Sequence, residues 1–109
     1  MTDETQPTSS EGADEAEARR RDLENLPPPR FETLIQILST QAVVALGMVP
    51  GPNGEVTREM PLARHFIDLL AILEEKTKGN RTPEENRNID TALHELRIAF
   101  THTSNQLKK

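Results

Sequence analysis

The sequence predicts an all-α protein of three helices behind an acidic, disordered N-terminal tail. Three observations lead there. Apolar residues recur at helical spacing from Phe31 onward, Gly/Pro-rich breaks cut that stretch into three, and residues 1–29 carry charge without any apolar period. The expected boundary divides a tail with a proline linker, residues 1–29, from a helical domain, residues 30–109.

The tail comes first. It holds eight acidic and three basic residues, a net of −5, while residues 30–109 hold ten of each and are neutral overall. Residues 1–22 bury too little apolar surface to offset the entropy of ordering, so they are expected to be disordered, with transient helix from Glu15 to Leu26. Pro27-Pro28-Pro29 stops any such helix and acts as a stiff spacer. The run Arg19-Arg20-Arg21 reads as a solubilising element, or more specifically as a weak contact for an acidic partner.

The first helix is expected from about Arg30 to Leu46, stopped by Gly47 at the left-handed position past its end and by Pro50. A Gly/Pro/Asn loop follows, from Pro50 to Gly54. The second helix runs from about Pro61, suited to a first turn, to Lys78, with Gly79-Asn80 as its stop. The third opens at Thr82-Pro83-Glu84-Glu85, where Thr82 and Glu85 have the spacing of a capping box. The short link between the last two helices makes them an antiparallel hairpin, packed on the first.

At about 100° per residue, Leu62, Ala63, Phe66, Leu69, Leu70 and Leu73 form one stripe of about 120° on the second helix. Ile89, Ala92, Leu93, Leu96, Ala99, Phe100 and Leu107 form another on the third. Ile72 and Ile98 fall outside these stripes, as stray surface residues or parts of a contact surface. The first helix differs from both. No charged side chain occurs between Glu32 and Glu55, and its apolar residues cover about three-quarters of the wheel. Gln36, Ser39, Thr40 and Gln41, with breaks at Gly47 and Pro50, rule against a membrane span, which needs about 20 apolar residues.

A hairpin covers only one side of such a helix. The smaller side, with Ile37, Gln41, Val44 and Met48, therefore calls for a further partner, and a second copy of the chain is the simplest. A core drawn from about 75 residues without disulfide or metal is also marginal alone. Gln41, inside the apolar arc, is expected to act as a hydrogen-bonded pin setting helix register, the alternative being a ligand contact.

Function classes narrow accordingly. With no Cys, neither a disulfide framework nor a Cys-based zinc site is possible. Phe31, Phe66 and Phe100 are the only aromatic residues of the Phe/Tyr/Trp type, and the neutral body has no basic stripe, so nucleic-acid binding is not expected. The start Met-Thr-Asp-Glu has neither a basic nor an apolar signal region, so a cytoplasmic location is expected. His65 and Asp68, one turn apart, are the candidate chemical pair, although an exposed Arg64–Asp68 pairing accounts for Asp68. His94, Glu95 and His102 read as a solvated face, and no nucleophile motif, phosphate loop or cofactor motif occurs.

In order along the chain, Phe31, Leu34, Leu38, Thr40-Gln41-Ala42 and Ala45-Leu46-Gly47 are followed by Leu62-Ala63, Ile67-Asp68-Leu69-Leu70, Lys76-Thr77-Lys78-Gly79-Asn80, Thr82, Leu93 and Glu95-Leu96-Arg97. Together these blocks resemble a bacterial family known as domain of unknown function 1844, over about residues 31–100. Arg81 departs from the hydrophobic residue frequent there, and with Asn86 it leaves the third helix without a hydrophobic staple. The resemblance implies a helical fold and no activity. The expected function is a non-enzymatic, self-associating module, most simply a dimer. The alternatives are an accessory subunit docking on another protein, or a ligand binder or enzyme using His65 and Asp68.

Overall fold

The computed structural model describes residues 10–108, which form four helices and no strand: α1 (Ser10–Glu24), α2 (Phe31–Ala45), α3 (Met60–Lys76) and α4 (Pro83–Leu107). This corrects the expected three helices. The additional helix is α1, in the part of the tail expected to be disordered; the same expectation for residues 1–9 lies outside the described residues.

α1 carries no hydrophobic period because none of its faces is buried by another helix. Ala13, Ala16 and Ala18 are strong helix formers, and Glu15/Arg19 and Glu17/Arg21 stand four residues apart in the favourable order. Acidic residues toward its start and arginines toward its end also suit the helix dipole. Its end is closed locally: the Asn25 backbone N–H and side-chain amide both donate to Arg21 O, at 3.1 and 2.8 Å. α1 packs against none of the other helices.

Helices α2, α3 and α4 pack pairwise as an up-down-up bundle. Ile35 and Ala42 of α2, Ile67 and Leu70 of α3, and Ile89, Leu93 and Leu96 of α4 form the main core. A smaller cluster joins Ala45 and Leu46 to Ala63, with Met60, Ala99 and Phe100 packed on it. The end of α2 thus meets the start of α3 and the last third of α4. The hairpin expected from the short second link is the α3–α4 pair.

Local signals fix the ends. Past α2 the Gly47 N–H donates to Val44 O (3.0 Å) and the Met48 N–H to Val43 O (3.2 Å), a Schellman closure with Gly47 at φ 79°. A Cβ there would lie 3.1 Å from the Thr57 carbonyl oxygen, so glycine is required both by backbone angle and by close approach. The loop then returns to the helix it left, the Glu59 N–H donating to Ala45 O at 2.8 Å. At α4 the capping box forms as expected: the Glu85 N–H donates to Thr82 Oγ1 (3.1 Å) and the Thr82 N–H to Glu85 Oε1 (2.8 Å).

The buried side of α3 is rotated from the expected stripe. Ala63, Ile67 and Leu70 are the buried residues, whereas Leu62 is 41% exposed. Two neighbours, α2 and α4, draw the buried arc toward Ile67. On α4, Leu107 lies beyond the bundle and is exposed.

Candidate functional site

Two grooves locate α4 relative to its neighbours. That between α2 and α4 is lined on α2 by Glu32, Ile35 and Gln36. That between α3 and α4 is lined on α3 by Arg64, Ile67 and Asp68. On α2, Leu34, Ile37 and Gln41 lie across the buried positions Ala42 and Ala45 from Glu32 and Gln36. On α3, Leu62 and Leu69 lie across Ala63 and Leu70 from Arg64 and Asp68, while Ile72, one turn past Asp68, stands on the outer side of the helix. Both stripes therefore flank the α2–α3 contact on the face turned away from α4.

That face is apolar and open. Leu34 is 49% exposed, Ile37 52% and Leu62 41%, and Met48, just past the end of α2, is also exposed. Val44 and Leu69 are half-buried, and Gln41 is exposed. The stripe residues repeat at heptad spacing on each helix: 34, 37, 41, 44 on α2 and 62, 65, 69 on α3. The expected burial of Gln41 does not occur within one chain. Its wheel position is inside the apolar arc, but the bundle leaves that part of the arc uncovered, so its amide reaches water.

Sequence reasoning found the α2 half of the face from the excess width of its apolar arc. It assigned Leu62 and Leu69 to the core. The direction from which α4 approaches α3 decides this, and no single-helix pattern encodes it.

The chemical candidates are dispersed. Asp68 pairs with Arg64, Oδ2 to Nε at 3.7 Å, with both side chains mostly exposed. That is the solvated i,i+4 pairing that accounts for Asp68 without catalysis, and its contribution to stability is small. His65 stands edge-on to Phe66, ring centroids 5.6 Å apart. His94, Glu95 and His102 are exposed on α4. Among the described residues no three His, Cys, Asp or Glu side chains converge as a metal site, and no helix is long and apolar enough to cross a membrane. The α3–α4 groove is open and shallow, walled by Arg64, Asp68 and Arg97 over Ile67 and Phe100.

Fold and surface define a small all-helical protein with one uncovered two-helix face. A family described as a domain of unknown function (DUF1844) matches residues 28–102, and the chain belongs to that family. No curated protein and no solved structure matches it.

Proposed function

We propose that this protein is a non-enzymatic association module that pairs with a second copy of itself through the uncovered side of α2. One observation carries the reading: Ile37 and Gln41 stand exposed on a side of α2 that its own bundle leaves open, with Met48 exposed just past Gly47 and Val44 half-buried beside Gly51, in a stretch with no charged residue from Thr33 to Gly54. Burying such a side contributes about 25 cal/mol per Å² of apolar surface removed from water. A second copy supplies the same uncharged surface, and the neutral body sets up no repulsion between copies. A cytoplasmic location and the division between tail (residues 1–29) and helical domain (residues 30–109) belong to the same reading.

Sedimentation or light scattering from low to high micromolar concentration tests it. The expected result is twice the chain mass at the upper end, with Ile37→Glu reverting to monomer while keeping the helical circular-dichroism spectrum. A monomer throughout sinks the proposal. A stable complex with one other protein, abolished by Ile37→Glu, would make the same side of α2 the docking site of an accessory subunit.

A further inference from the structure

We infer that the linker Pro27-Pro28-Pro29 is a tethered cover on the outer side of α2, which a second copy must displace to reach all of Ile37. This rests on the self-association reading and adds to it a restraint on the same site, built into the chain itself.

The linker doubles back along the helix it precedes. Pro27 lines a groove with Thr33, Gln36, Ile37, Thr40 and Gln41. Pro28 is held one turn nearer the start of α2, its carbonyl accepting from Thr33 Oγ1, and that oxygen accepts in turn from the Arg30 N–H at 3.4 Å. Chain length agrees with this path. An extended proline segment from Pro27 to Phe31 spans about 12 Å at ~3.1 Å per residue. The helix from Phe31 to Ile37 rises about 9 Å at ~1.5 Å per residue. A linker laid against α2 therefore carries Pro27 to the level of Ile37.

The contact has the character of a restraint that can be released. Prolines have little backbone freedom to lose, so seating them costs little entropy. One side-chain hydrogen bond fastens the segment, and Ile37 remains 52% exposed beneath it. On the wheel Thr33 and Thr40 lie to one side of Ile37 and Leu34 to the other. Pro27 takes the first side and leaves the second to the open face.

The seat also decides where the tail's charge enters. Residues 1–24 carry a net −5, and α1 packs against no other helix, so the linker alone brings that charge in beside Ile37. Two copies joining through this side must crowd two such tails together or lift both linkers away. At physiological salt the repulsion fades over ~8 Å, so a short displacement of the linker relieves it.

Sedimentation of the full-length protein and its variants tests the cover. Thr33→Val keeps the side-chain shape and removes the fastening donor. It is expected to lower the dimer Kd about fivefold, the worth of one neutral hydrogen bond, with an unchanged helical spectrum. Pro27→Ala takes the ring out of the groove and is expected to act in the same direction. The chain has no Cys, so Leu26→Cys with Thr40→Cys can be bridged within one chain by a short bis-maleimide at low protein concentration. The bridged protein is expected to pair at least tenfold more weakly than the same variant capped with N-ethylmaleimide. If no bridge forms, if the bridged and capped proteins pair alike, or if Thr33→Val and Pro27→Ala leave Kd unchanged or raise it, the linker is not a cover, while self-association through α2 stands. A dimer indifferent to Ile37→Glu, or no dimer in any variant, removes both.

Discussion

Ser39 and Gly47 show how single residues of α2 work against or for its stability. Ser39 Oγ is buried on α2 without a hydrogen-bond partner among the described residues. An unpaired buried hydroxyl costs about 1–3 kcal/mol, and serine is also a weaker helix former than alanine. Ser39→Ala is expected to stabilise the bundle by about 1 kcal/mol, read as a higher denaturation midpoint with unchanged slope. Gly47 works in the opposite sense. Gly47→Ala places a Cβ 3.1 Å from the Thr57 carbonyl oxygen on a left-handed backbone, and is expected to destabilise by about 1–2 kcal/mol in the same assay. Loss of the Thr82 cap by Thr82→Ala is expected to cost about 1 kcal/mol.

At the scale of elements, α1 and the bundle helices are helical for different reasons. α2, α3 and α4 are held by packing, α1 by local propensity alone. An isolated helix of about 15 residues is marginal in water. Hydrogen exchange should therefore show no protection from Ser10 to Glu24 beyond that of a free peptide, against strong protection around Leu93 at the core centre. Slow exchange throughout α1 would show that it packs on something. The same contrast explains what the sequence made legible. The bundle helices announce themselves through amphipathic period and through Gly47, Gly79 and Thr82-Pro83 at their ends. α1 has no period, so composition read as disorder with only a transient helix from Glu15 to Leu26. Ile67 was missed and Leu62 over-assigned for a third reason: a single-helix wheel gives the width of an apolar arc but not the direction of the neighbours that will cover it. The α2 half of the candidate face was readable because its arc was too wide for any neighbour to hide.

For the whole molecule, the bundle hides most of its aliphatic surface but leaves a face, turned from α4, on which Leu34, Ile37 and Leu62 meet water. A contiguous apolar face of this kind marks an interaction surface on a small protein. The opposite surface, along the α3–α4 groove, is polar, with Arg64, Asp68 and Arg97 at its walls. Stability should therefore depend on protein concentration if the face is occupied by a second copy, the thermal midpoint rising between low and high micromolar samples. A midpoint constant over that range would place the whole stability within one chain.

The separateness of α1 makes the molecule's net charge detachable. All of the −5 resides in residues 1–24, and α1 touches no other helix, so cleavage ahead of the Pro27-Pro28-Pro29 linker, whose Pro28 carbonyl accepts from Thr33 Oγ1 of α2, deletes the charge without deleting a contact between helices. What remains is isoelectric near neutral pH, with an exposed apolar face and nothing to keep like molecules apart. Proteolysis between α1 and Pro27 is then expected to leave the bundle folded, with its circular-dichroism melt unchanged, while turbidity against pH shows a new solubility minimum close to pH 7. On this view the tail sets a colloidal limit, and clipping it would turn a discrete pairing surface into a route to precipitation.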